Sequence, residues 1–119
     1  MNRVLRIYLD DELLTEAFLD ADVQYTIGRS EDCDIVIRDN TISREHLKIF
    51  FDGGNWYVQC VSRFSNLSDA KGLTVENLQI SSNRTPFSVG SYQFVIEAAS
   101  VQSDYQEASE LPLVAEESL

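Results

Sequence analysis

YTIGRSEDCDIVIRDNTISREHLKIF, residues 25–50, decides how this chain is read. It divides into strand, loop, strand, loop, strand. The first loop carries Gly28-Arg29-Ser30 and the second carries Ser43-Arg44-Glu45-His46. Each offers a guanidinium and at least one hydroxyl at the end of an expected strand. Side by side, the two loops make a compact site for a doubly charged oxyanion such as phosphate. Arginine suits that task because its planar fork gives paired, charge-assisted hydrogen bonds to phosphate oxygens.

Working outward, residues 4–9 (VLRIYL) read as a strand, Asp10-Asp11-Glu12 as a polar turn, and residues 13–20 as the return strand. Residues 23–28 form a strand ending in Gly28, where the expectation is a backbone conformation open only to glycine. Residues 35–37 (IVI) are short, apolar and β-branched, the pattern of a strand buried on both faces. Residues 46–51 alternate and lead through Asp52-Gly53-Gly54-Asn55, a hairpin turn, into residues 55–61. Residues 62–72 are the longest irregular stretch. LTV at 73–75 and LQI at 78–80 read as a tight pair around Glu76-Asn77, and residues 86–90 and 92–98 as a last hairpin. Many short strands with closely spaced turn signals mean an antiparallel β-sandwich, a rigid scaffold whose loops carry the contacts.

The 119 residues suit one domain, and a chain of this length can bury a core without staples. Two cysteines, Cys33 and Cys60, are too few for a disulfide framework, and the opening residues lack the pattern of a secretory leader. No apolar run approaches the ~18 residues of a membrane span. These features point to reduced thiols and a cytoplasmic setting. The formal net charge of −11 argues against nucleic acid or an anionic membrane as partner. Arg29, Arg44, Arg63, Lys71 and Arg84 fall in or beside expected loops, either as a local positive pocket on an acidic body or as solvated loop charges. Residues 104–119 hold five acids and no Lys or Arg. The expected domain is therefore residues 1–99, and residues 100–119 read as a flexible acidic linker or tail.

Taken together, these motifs resemble the forkhead-associated (FHA) family. Ile27-Gly28-Arg29 followed by Cys33-Asp34-Ile35-Val36-Ile37 is similar to its glycine-arginine loop and next strand. Ser43-Arg44-Glu45-His46-Leu47 matches its serine-x-x-histidine motif. Gly72-Leu73-Thr74-Val75-Glu76-Asn77 resembles, imperfectly, its later glycine-threonine-x-valine-asparagine-glycine segment, and residues 86–96 resemble its closing hairpin. The resemblance covers roughly residues 3–98. It implies an eleven-stranded SMAD/FHA-like antiparallel β-sandwich that binds phosphothreonine peptides through loops at one end, with no cofactor. The partner would be a phosphothreonine-containing protein, and the module would be fused to or partnered with a signalling enzyme. Arg29 and Ser43 would contact the phosphate, Arg44 would add charge, and Gly28 and His46 would hold the loops in shape. The rival reading is a structural assembly domain that keeps the sandwich without reading phosphate, as in bacterial secretion or signalling complexes.

The departure lies in residues 62–72, where the family carries threonine-asparagine-glycine and the asparagine holds the peptide backbone. Counting back from Gly72 puts Lys71 at the asparagine place. Counting forward from Trp56 puts Ser65-Asn66 there instead, with residues 67–71 inserted. The second register is preferred, because asparagine both donates and accepts whereas lysine only donates.

Ser43, His46 and Asp39 invite a hydrolase reading. Against it, the chain has a single histidine and no Gly-x-Ser-x-Gly elbow, so no catalytic residue is assigned. Two cysteines 27 apart and one histidine give no zinc spacing, so no metal is expected. No glycine-rich nucleotide loop is present.

Overall fold

Alternation along the chain builds two facing sheets. In the computed structural model, which describes residues 2–63 and 66–98, β1 (Arg3–Leu9) turns Leu5 and Ile7 inward and Arg6 and Tyr8 outward. Asp10 and Asp11 both take positive φ, 52° and 66°, which is what a two-residue turn needs to lead directly into β2 (Glu12–Leu19). Then come β3 (Tyr25–Gly28), β4 (Ile35–Val36), β5 (Leu47–Asp52), β6 (Asn55–Cys60), β7 (Leu67–Ser68), β8 (Asn77–Ile80), β9 (Arg84–Val89) and β10 (Tyr92–Ala98).

The first sheet runs β2-β1-β10-β9-β7 and the second β4-β3-β5-β6-β8. Leu5, Ile7, Phe87, Phe94 and Ile96 of the first meet Ile27, Leu47, Ile49, Trp56 and Val58 of the second in one buried cluster. Phe87 and Phe94 are register partners whose rings stack at 5.1 Å. The outer face of the first sheet carries an ion-pair ladder across four strands: Glu16 of β2, Arg6 of β1, Glu97 of β10 and Arg84 of β9.

The all-β sandwich agrees with the sequence reading, with three local differences. First, the described residues hold ten strands rather than eleven. Residues 73–75 do not pair with 78–80; Thr74 forms a single bridge with Ser68, and Val75 N–H donates to the Leu67 carbonyl. The cause is local: Asp69 Oδ1 accepts from the amides of Lys71 and Leu73, and Gly72 takes φ 84°, closing a tight turn back onto β7. β8 is thereby left to pair with β6. Second, residues 35–37 are not a strand buried on both faces. β4 is a two-residue edge strand with Ile35 and Val36 half-buried; only Ile37 is buried. Third, β4 runs parallel to β3, pairing Ile27 with Ile35 and Gly28 with Val36. A parallel neighbour reached in so few residues forces the 29–34 loop to double back along β3. Asp34 marks its return, accepting from the Thr26 amide at 2.8 Å and the Thr26 hydroxyl at 3.2 Å. Arg29 and Ser30 are thus left at the rim. The expected boundary at Ala99 and the acidic segment 100–119 lie outside the described residues.

Candidate functional site

At that rim the 29–34 loop is fastened to the 38–46 loop by main-chain bonds. Arg29 N–H donates to the Ser43 carbonyl at 2.9 Å, Ser30 N–H to the Arg44 carbonyl at 3.1 Å, and His46 N–H to the Ile27 carbonyl at 2.9 Å. The Cys33 thiol also points at the Arg44 carbonyl, 3.2 Å away. Gly28 is what lets the loops close. A β-carbon there would lie 2.2 Å from the Arg44 oxygen and 2.8 Å from its carbonyl carbon. The glycine serves close approach rather than an unusual backbone angle, since its φ is not in the left-handed region.

Arg29 is exposed, and its Nε donates to the Ile42 carbonyl at 3.1 Å, which lays the guanidinium along the second loop. Arg44 is exposed on the same loop pair. Among the described residues, no carboxylate lies within 4.0 Å of either guanidinium. Ser43 is half-buried, with its hydroxyl 2.6 Å from that of Ser62. The second loop thus carries the Arg29 guanidinium along it and the Ser43–Ser62 hydroxyl pair, while Arg44 lines a cleft with Ser30, Cys33, Asp32 and Glu45.

His46 sets the shape of this arrangement. It is buried at 2% exposure. Its Nδ1 accepts from Ser43 N–H at 2.9 Å, so the proton of the neutral ring sits on Nε2 and donates to Asn66 Oδ1 at 2.5 Å. One ring nitrogen thus meets loop backbone and the other a side chain twenty positions away. The ring ties the loop before β5 to the loop before β7. Because it bonds the Ser43 amide and not its hydroxyl, it does not form a nucleophile–base pair.

Asn66 thus spends its acceptor inward, leaving Nδ2 as the group it can offer a ligand; that atom would lie 3.9 Å from a β-carbon on Gly90. The preference for Asn66 over Lys71 rested on its both donating and accepting, and the accepting half is engaged. Ser65, its companion, lies outside the described residues. Lys71 sits in the turn after β7.

A second brace was not read from sequence. The Tyr92 hydroxyl at the start of β10 donates to Asp39 Oδ2 at 2.7 Å, while Asp39 Oδ1 accepts from the Thr41 amide and hydroxyl. These bonds, Thr41's amide foremost and then Tyr92's hydroxyl, hold the Asp39 carboxyl below its ordinary pKa, and the same carboxylate pushes Tyr92 up. Ser62 was also missed; a serine two residues past a strand carries no distinguishing pattern. Among the described residues no group of three His, Cys, Asp or Glu could hold a metal ion, and no helix is long and apolar enough to cross a membrane.

This geometry defines a β-sandwich with a polar loop cluster at one rim that presents Arg29, Arg44 and Ser43 among acids such as Asp32 and Glu45. The family model described as the FHA domain matches residues 25–92, more than half of the chain, and the chain belongs to that family. Among solved structures it is similar to the FHA domain of CT664 from Chlamydia trachomatis, with 20% identity over 84% of this chain and 100% of that one, at TM-score 0.71. It is similar also to Mycobacterium tuberculosis EmbR in complex with a low-affinity phosphopeptide, with 17% identity over 84% of this chain and 26% of that one, at TM-score 0.67. A third likeness is to a structure from an analysis of phosphothreonine-dependent FHA domain interactions, with 19% identity over 82% of this chain and 99% of that one, at TM-score 0.66. At these identities the likenesses establish the fold. No curated protein sequence matches the chain.

Proposed function

We propose that the chain is a phosphothreonine-peptide-binding module for phosphorylation-dependent protein–protein interaction. One observation carries the reading: the Arg29–Ser43 and Ser30–Arg44 main-chain bonds fasten the two loops that carry Arg29, Arg44 and Ser43, and no described carboxylate lies within 4.0 Å of either guanidinium. In this reading Arg29 and Ser43 take the phosphate, Arg44 adds charge, and Asn66 reaches the peptide through its Nδ2 donor. Gly28 and His46 keep the loops in register. Support comes also from family membership and from relatives solved with a phosphopeptide or studied for phosphothreonine dependence.

The ligand is held by charge, so affinity falls with rising salt. It also falls with acidity below the second phosphate pKa near ~6, as the dianion takes up a proton. The test is titration of a degenerate phosphothreonine peptide library against its unphosphorylated twin. Arg29→Ala should lose about ten- to a hundredfold in affinity, the range of one charged hydrogen-bonding group. Equal affinity for both libraries sinks the reading.

A second reading, a phosphate-independent assembly domain, is favoured by the engagement of Asn66 Oδ1 with His46. A partner pulled down equally well after phosphatase treatment would select it.

A further inference from the structure

Pairing on one side only leaves an edge strand with hydrogen-bonding groups its own sheet does not use. Among the described residues β2 is such an edge, paired with β1 alone, and at eight residues it is the longest strand described. The opposite edge of the same sheet, β7, is two residues long. Of the usual means of blunting an edge, β2 lacks lysine, proline and short length and has two glutamates and one bulge, which leaves Thr15–Leu19 as a regular stretch. It exposes Leu13 at 48%, Leu14 at 50% and Phe18 at 74%.

The backbone shows which groups face outward. The Phe18 carbonyl turns away from β1, toward the Tyr25 hydroxyl 3.5 Å away. Groups of alternate residues point to the same side of a strand. The outward amides of the regular stretch are therefore those of Glu16 and Phe18, beyond the bulge that offsets Thr15 from Leu13.

Charge selects the occupant. Residues 10–24 hold six acids and no Lys or Arg. Asp10, Asp11 and Glu12 bracket one end of the apolar stretch and Asp20 and Asp22 the other; of the six acids only Glu16 has an ion-pair partner among the described residues, Arg6. A second copy would bring these acids against their own kind, which disfavours self-pairing. The chain's own residues 100–119 carry five acids and no base. We propose that β2 receives an extended segment of another protein, apolar in its middle and basic at both ends, added as a sixth strand to the first sheet. Main-chain bonds to Glu16 and Phe18 would supply affinity, and the flanking acids would supply selectivity.

The probe is a synthetic ten-residue peptide of alternating valine and threonine with two lysines at each end, titrated into the isotope-labelled full chain. Expected are amide shifts confined to residues 12–18, slower exchange at Glu16 and Phe18, and about tenfold weaker binding to Phe18→Ser. That variant keeps the net charge and replaces a side chain already in water. Glutamate-flanked and proline-interrupted versions should fail. Shifts absent or spread over the surface, or equal binding to Phe18→Ser, would overturn the proposal. So would Glu16 and Phe18 amides already protected without peptide, with sedimentation separating a second copy from the chain's own terminal segment. The phosphate reading is independent: Arg29→Ala should bind this probe as the unaltered chain does.

Discussion

The carbonyl oxygen of Arg44 occupies the space that a β-carbon on Gly28 would need, 2.2 Å from its ideal position. Because the obstacle is backbone held by Ser30 N–H, it cannot rotate aside. Gly28→Ala must therefore push the two loops apart. The expected cost is about 1–3 kcal/mol, the usual range for overpacking a closed site, together with lost phosphopeptide affinity. Chemical denaturation and titration check it; a variant as stable and as tight as the unaltered chain would show that the loops are not locked in this way.

How much of this was legible follows from where each signal lives. Strands such as β1, β5 and β10 announce themselves by alternation, because one face of each meets the core. Gly28 was legible as a required glycine, but not for its reason, since the obstacle sits sixteen residues on at Arg44. The same holds for β4, whose β-branched run suited a buried strand, while its place at a parallel edge depends on how the 29–34 loop returns. Arg29, Ser43, Arg44 and His46 were singled out together because two adjacent loops carry them. Ser62, Tyr92 and the Asn66 contact with His46 were not, because a bond between positions nineteen to fifty-three apart leaves no period in the chain.

His46 and Asn66 separate stability from recognition. His46→Ala leaves the Ser43 amide and Asn66 Oδ1 without their buried partner, at about 1–3 kcal/mol per unsatisfied group. Both stability and binding should fall. Asn66→Asp keeps an acceptor for His46 Nε2–H but removes the Nδ2 donor and adds a negative charge beside the site. Its melting temperature should stay near that of the unaltered chain while phosphopeptide affinity falls. Calorimetry of the two variants checks both: a His46→Ala chain as stable as the unaltered one, or an Asn66→Asp chain that binds as tightly, would overturn the assignment.

The Asp39–Tyr92 brace gives a signed pH dependence. Asp39 is held below its ordinary 3.8, so its contribution is present above that value and is lost as pH falls through the depressed one. Tyr92 is raised above 10.0, so its contribution is present below that value and is lost as pH rises through the raised one. Tyr92→Phe should move Asp39 partway back toward 3.8 and no further, because the Thr41 bonds remain. Carboxyl-carbon NMR titration reads this directly; an unmoved Asp39 would mean the tyrosine hydroxyl is not its partner.

The ladder Glu16–Arg6–Glu97–Arg84 makes a different kind of claim, about salt. Its side chains are 30–61% exposed, so solvent screens each pair. Arg6, like Glu97, has two partners; its own are Glu16 at 2.7 Å and Glu97, and both raise its pKa, Glu16 the more strongly. Arg6→Met keeps the aliphatic stem over the sheet and removes the charge. The expected loss is about 1 kcal/mol at low ionic strength, within the range for exposed pairs in a network. It should shrink toward zero near 1 M salt, where the screening length falls to about 3 Å. Arg84→Met, which breaks only the 3.2 Å contact with Glu97, should cost less. Urea unfolding of both variants at two salt concentrations tests the ranking. A loss for Arg6→Met that is unchanged by salt would assign the residue's contribution to packing rather than to charge.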